Sequence, residues 1–199
     1  MVVGRTVIEQ PEGTTPLDPT EAEGLVPSHI TTRAELNVWE NQNILAAMTW
    51  LESRRPGKEL TDRFIRDLHR RMFDETWEWA GTYRRSDKNI GIHWPEIPVA
   101  VRDLCGDGRY WLDNTVYPPR QAVARVHHRL VAIHCFPDGN GRHARLHADA
   151  LLRSMGEEPF TWGRGDLHVD GAPRDAYLAA LRAADGGRFD ELFSFLGCT

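Results

Sequence analysis

Two helix-length apolar stripes are joined by a short polar junction, and that junction constrains this chain more than any other feature. Before it, Val123, Val126, Leu130 and Ile133 recur at helical spacing. After it, from about Gly141, Ala144, Ala148, Leu151 and Leu152 do the same. Between them stands His134-Cys-Phe-Pro-Asp-Gly-Asn-Gly-Arg-His-Ala-Arg145. The stretch combines a histidine able to act as a base, a carboxylate, a glycine-rich turn and two arginines. A phosphate-handling site needs that set: a base for a hydroxyl, a metal ligand, backbone N–H groups for phosphate oxygens, and cations for developing charge.

With 199 residues and 41% hydrophobic content, the chain can bury one good core, which points to one domain. The 24 basic and 29 acidic residues leave a net charge of −5, and no basic run stands out, which argues against direct nucleic-acid binding. Apolar runs such as Ile44-Leu-Ala-Ala-Met48 are too short to span a bilayer. Near the N-terminus Arg5 is followed by Glu9 and Glu12, without the basic start and apolar core of a secretory leader. Cys105, Cys135 and Cys198 are widely spaced and form no CxxC, which suits a reducing compartment. A soluble, cytoplasmic protein without membrane contact is the expectation.

Prolines 11, 16, 19 and 27, with five acids against one arginine, mark residues 1–31 as an extended N-terminal arm. The body follows at 32–199. Thr31 or Thr32 reads as an N-cap with Glu35 as its capping-box partner, opening a helix with Leu36, Trp39, Asn43, Ala46, Ala47 and Trp50 on one side. Arg54-Arg-Pro-Gly-Lys58 ends it, and Thr61 caps a second helix whose buried stripe is Phe64, Ile65, Leu68 and Met72. Residues 81–94 break the helical rhythm and read as a short hairpin around Ser86-Asp-Lys-Asn89. A further helix starts after Pro95 or Pro98, with a break expected at Gly106-Asp-Gly108. Pro118-Pro119 opens the helix leading to His134, and two more are expected at roughly 173–184 and 187–196. The expected fold is mainly α, a helical bundle with one short β-hairpin.

The junction matches His-x-Phe-x-Asp/Glu-Gly-Asn-Gly-Arg-x-x-Arg at every specified position, and so resembles the signature of the Fic/Doc family. The likeness extends over roughly 32–196: Trp79-Ala-Gly81, Tyr83-Arg84 and Asn89-Ile90 resemble the approach to the family's flap hairpin, and His127–His134 the helix carrying its histidine. The arm, from Thr15-Pro-Leu-Asp18 through Ser28 to Asn37, resembles the Fic subgroup labelled mobile mystery protein B, which implies carriage on bacterial mobile elements. The resemblance implies a Fic fold and a toxin-like nucleotidyltransferase moving AMP from Mg-ATP to a Ser, Thr or Tyr hydroxyl of a target protein (AMPylation).

Under that resemblance His134 is the general base, for which an imidazole near working pH is suited. Asp138 ligates Mg²⁺ at the α- and β-phosphates, a hard oxygen donor for a hard cation. Gly139, Asn140 and Gly141 form the anion cradle, Arg142 and Arg145 face the phosphates, and Phe136 completes the ATP-binding loop by anchoring it in the core. Lys88, Asn89, Ile90, Gly91, Ile92 and His93 form the flap edge along which a target segment docks as an added strand.

The family's inhibitory pattern, Ser/Thr-x-x-x-Glu-Gly/Asn, has no strict match. Glu40-Asn41 has the right ending behind Leu36, and Glu35 follows Thr31, so Glu35 and Glu40 are candidate inhibitory acids expected to reach Arg145. A separate antitoxin-like inhibitor is the other possibility. Alternatives to AMP transfer are UMP or GMP transfer, a Doc-like kinase reaction and a non-catalytic peptide-binding module; Gly139 and Gly141 together favour AMP transfer over the kinase reaction. A hydrolytic metal site on His127, His128, His143 and His147 is the weakest reading, since no HExxH or cysteine pair supports it.

Overall fold

In the computed structural model the described residues are 17–164, 167 and 171–198. Eight α-helices lie among them: α1 (Pro19–Ala22), α2 (Arg33–Ser53), α3 (Asp62–Phe73), α4 (Ile97–Asp113), α5 (Pro119–Ile133), α6 (Asn140–Ser154), α7 (Ala172–Asp185) and α8 (Asp190–Leu196). Short 3₁₀ turns at Trp94–Glu96 and Trp162–Arg164 complete the set.

The helix ends follow the expected chemistry. The Thr32 side chain accepts from the Glu35 N–H at 3.2 Å, and the Glu35 carboxylate takes the Thr32 N–H at 3.0 Å. This reciprocal pair satisfies two N–H groups that a helix start leaves without partners. Thr61 caps α3 through the Phe64 N–H at 3.2 Å.

Helix α5, joined to α6 by a short loop, packs against both α6 and α4, while α3 packs against α2 and α6, and α7 against α8. Two apolar clusters result. The larger holds Val123, Val126, Leu130 and Ile133 of α5 with Ala144, Ala148, Leu151 and Leu152 of α6. The second joins Leu36 and Ala47 of α2 to Phe64, Leu68 and Met72 of α3. On α2 the buried positions include Glu40, while the expected Ala46 is exposed.

Three expectations need correction. Helix α4 is not broken at Gly106-Asp-Gly108 but runs through it. Gly108 serves close packing instead: a Cβ there would stand 3.0 Å from both Leu60 and Val126. Second, residues 81–93 form no paired hairpin; the isolated bridge described in the molecule joins Leu25 to Trp77. The backbone groups that would pair across a hairpin have other partners. The Arg84 N–H donates to Cys135 O at 3.0 Å, the Ile92 N–H to Ile133 O at 3.4 Å, and the Arg84 side chain takes the carbonyls of Ser86 and Ile92. Third, the arm within the described residues is partly helical at α1, and residues 1–16 lie outside them. Gly24 and Val26 bond the backbone of Glu78 and Thr76, and Lys88 reaches Glu21 at 2.5 Å and Asp18 at 3.1 Å.

Candidate active site

The junction between α5 and α6 is a tight loop with two left-handed residues. His134 ends α5 at φ 55°, ψ 63°, and Gly139 begins α6 at φ 76°, ψ 2°. Gly139 is glycine for two reasons. Its φ disfavours any Cβ, and a Cβ would lie 2.6 Å from the Phe73 ring. Asn140 closes the loop from inside: its Oδ1 accepts the Phe136 N–H and its Nδ2 donates to Phe136 O, both at 2.8 Å. Both ends of that side chain serve the loop backbone, so Asn140 acts as a staple.

Phe136 is fully buried, its ring centroid 3.7 Å from that of His69. His69 in turn donates through Nε2 to Asp138 O at 3.1 Å, while its Nδ1 accepts the Gly81 N–H at 3.0 Å. The two partners assign the tautomer, a neutral ring with hydrogen on Nε2. Burial, more than the nearby Arg142 charge, lowers the His69 pKa to about 3. This loop is therefore fastened by an anchor ring, an amide staple and a neutral imidazole.

His134, buried in the same place, has its pKa lowered to about 4, first by burial and then by the positive charges of Arg84 and Lys88. Its imidazole is the free-base form throughout the neutral range. The Asp138 oxygen Oδ2 is buried and accepts no hydrogen bond among the described residues; the Arg142 guanidinium lies 3.6 Å away. The first turn of α6, at Asn140, Gly141 and Arg142, carries N–H groups that a helix start leaves without internal acceptors. That end is an anion-binding geometry.

The arginines do not behave alike. Arg142 Nη1 is 2.5 Å from Glu40 Oε2, and Trp77 Nε1 donates to the other Glu40 oxygen at 2.9 Å. Glu40 is fully buried and the Arg142 side chain is 15% exposed, so this is a buried charge pair. Arg145 lies by the Tyr177 ring, 5.9 Å from its centroid. Glu40 thus reaches the first arginine of the signature and not the expected Arg145. Glu35 reaches neither: its carboxylate takes the N–H groups of Thr31 and Thr32.

Of the flap residues, Asn89, Ile90, Gly91 and His93 are exposed, and Lys88 and Ile92 are half-buried. A Cβ on Gly91 would lie 2.7 Å from that of His134, so the flap backbone rests on the histidine. The other histidines are engaged within the protein. His143 Nε2 donates to Ile65 O and His147 Nε2 to Glu59 O, both at 2.9 Å, while His127 meets the Tyr177 hydroxyl at 3.0 Å and His128 meets Asp185 at 2.8 Å. None of these rings joins a group of three metal-ligating side chains among the described residues. Arg84, His69 and Trp77 were not singled out by sequence reasoning. For His69 a signal existed, a histidine inside the apolar stripe of α3; for Arg84 the resemblance supplied only its place.

Residues 59–152 match the Fic/DOC family model. The chain carries a Fic/DOC family domain. Around it, the chain is 32% identical over 161 residues to Protein adenylyltransferase Fic of Aedes aegypti, covering 77% of this chain and 31% of that protein. It is 31% identical over 147 residues to the Drosophila grimshawi protein of that name, covering 71% and 29%. The chain thus spans about a third of the length of these curated relatives. Among solved structures, Fic-1 from C. elegans aligns with a TM-score of 0.67 at 22% identity, over 89% of this chain and 51% of that one. BepC from Bartonella tribocorum, solved with bound AMPPNP, aligns with a TM-score of 0.67 at 17% identity, over 90% and 96%. The Fic fold is therefore the fold of this chain. No helix among the described residues is long and apolar enough to cross a membrane.

Proposed function

We propose that this chain is a protein adenylyltransferase that moves AMP from ATP to a Ser, Thr or Tyr hydroxyl of a target protein. The observation that carries the reading is the join of His134, unprotonated at neutral pH, to the N-terminus of α6 through a loop whose glycine is required by shape. In this reading the target oxygen attacks the α-phosphorus and His134 takes its proton. The bond from the α-phosphorus to the bridging oxygen breaks, and pyrophosphate leaves. The N–H groups at the start of α6 bind phosphate oxygens, and Arg142 and Arg145 offset their charge. The relatives' name, adenylyltransferase, favours AMP over UMP, GMP or a whole phosphoryl group.

Asp138 fits a Mg²⁺ ligand, since its buried Oδ2 has no hydrogen-bond donor. Mg²⁺ bound by few carboxylates takes its remaining ligands from water and nucleotide phosphates, so a single acidic residue suffices. When bound, the ion would offset the negative charge of the phosphates. The flap, with its exposed edge at Asn89–Gly91, would receive the target segment, and the cytoplasm would supply ATP and target. Control would act on Arg142: Glu40 holds that guanidinium, and a nucleotide would have to displace it. A separate antitoxin-like protein is the alternative means of control.

The test is incubation with α- or γ-labelled ATP, with and without bacterial lysate. Protein-bound α-label is expected, and γ-label alone would establish a kinase instead. His134→Ala should lower transfer by about 10²–10⁴-fold, the usual worth of a general base, with circular dichroism unchanged. Excess chelator should stop transfer; full activity without a divalent cation would remove Asp138 from the metal role.

A further inference from the structure

Arg84 lies 50 positions from His134 in sequence and directly behind it in space. Its side chain is wholly inaccessible, and among the described residues its guanidinium donates to backbone carbonyls. Nε donates to His134 O at 2.7 Å, Nη1 to Ser86 O at 2.7 Å, and Nη2 to Ile92 O at 2.5 Å, with Ile133 O at 3.5 Å. Two of these carbonyls belong to the C-terminal end of α5, where helix carbonyls lack internal partners and negative charge accumulates. The other two, those of Ser86 and Ile92, belong to the flap segment. Its own N–H adds a further tie, to Cys135 O at 3.0 Å, and Asp87 offsets its charge from 3.7 Å.

His134 needs such a tie. It is a left-handed non-glycine residue, a conformation unfavourable for a side chain with a Cβ, and it persists only where the surroundings hold it. Across the same contact, a Cβ at Gly91 would stand 2.7 Å from His134 Cβ and 2.8 Å from Arg84 Nη2. The flap backbone, the guanidinium and the histidine therefore form one packed stack.

We infer that Arg84 is a positioning residue that locks the flap to the backbone of His134, so that the docked target hydroxyl and the base are placed by one group. This rests on the transferase reading for its catalytic consequence, but the lock itself is independent of it. Lysine carries the same charge on a single nitrogen, so it cannot hold the carbonyls of His134, Ser86 and Ile92 at once in the planar fork that arginine provides.

The experiment compares wild type, Arg84→Lys, Arg84→Met and Gly91→Ala by two readouts. In amide hydrogen exchange, the wild-type N–H groups of Arg84, His134 and Ile92 should be protected. Arg84→Lys should expose them at least about tenfold faster while α2 and α3 amides keep their protection. In transfer assays with saturating target, Arg84→Lys should lower kcat by about tenfold or more, leaving KM for ATP within about twofold, because it displaces the base and not the phosphate loop. If Arg84→Met does not fold, Gly91→Ala decides from the flap side, since it wedges the stack apart with the guanidinium intact and should expose the same three amides. Unchanged exchange in Arg84→Lys and Gly91→Ala overturns the lock, and so does a transfer loss that lies wholly in KM for ATP. Wild-type protein that moves no AMP would sink the transferase reading alone, with the exchange data still deciding the lock.

Discussion

The signature's glycines separate cleanly by what surrounds each Cα. Gly139 sits at φ 76° against the Phe73 ring, whereas Gly141 lies inside α6 with only the Arg145 tip, 3.7 Å away, near its would-be Cβ. Gly139→Ala should therefore cost stability, about 1–3 kcal/mol for an overpacked site, with added backbone strain. Gly141→Ala should hold or raise stability by about 0.5–1 kcal/mol, because alanine is the better helix former. Its methyl group would nonetheless stand in the proposed phosphate cradle, so transfer should fall. Urea midpoints and α-label transfer, measured on both variants, check the pair. Equal stability losses would mean that the loop is not held as described.

At the scale of one element, α2 brings two acids to different tasks. Glu35 closes the capping box with Thr32, and Thr32→Ala should cost about 1 kcal/mol without raising activity. Glu40, five residues on and one side round, points inward to Arg142 and Trp77. Glu40→Gln removes the charge that compensates a buried guanidinium, and breaking such a pair costs about 3–5 kcal/mol. The same change frees Arg142 for phosphate, so self-labelling should rise while the urea midpoint falls. Activation by Glu35→Gly in place of Glu40→Gln would reverse the assignment. A stable Glu40→Gln protein with unchanged labelling and unchanged nucleotide affinity would remove Glu40 from control altogether.

For the whole molecule, the buried histidines set an acid limit. Burial lowers His69 and His127 to about 3 and His134 to about 4, and it pushes His143 well down and His147 down as well. In the unfolded chain these rings would take protons near 6.5. Between about pH 6.5 and 4 the unfolded state thus binds more protons, and stability must rise with pH over that window. Their contribution is present above the unfolded value and is lost as the solution is acidified. The urea midpoint should fall steadily from pH 7 to pH 5, and His69→Gln should flatten the fall. A midpoint that is level or rising on acidification would contradict burial of these rings as neutral groups.

Much of the element order could be read from the chain because helix information is local. Thr32 with Glu35, Thr61 ahead of Phe64, Pro119 at the head of α5 and the stripe from Val123 to Ile133 all lie within one or two turns of what they specify. The signature likewise kept His134, Asp138 and Gly139 on one loop and Gly141 in the helical turn that follows, since their neighbours in sequence are their neighbours in space. The misreadings arose where the deciding partner was distant. Two glycines in α4 looked like a break until Leu60 and Val126 closed on Gly108, and a hairpin was expected where Cys135, Ile133 and Arg84 had already taken the backbone bonds. Glu40 and Arg142 are 102 positions apart, and His69 and Asp138 are 69. A buried charge or imidazole must find a partner, and periodicity reveals that need without naming who meets it. Only the packing of α2 and α3 against α6, and of residues 84–92 against the end of α5, chose those partners, because a hydrogen bond made in the interior depends on which faces come within about 3 Å of each other.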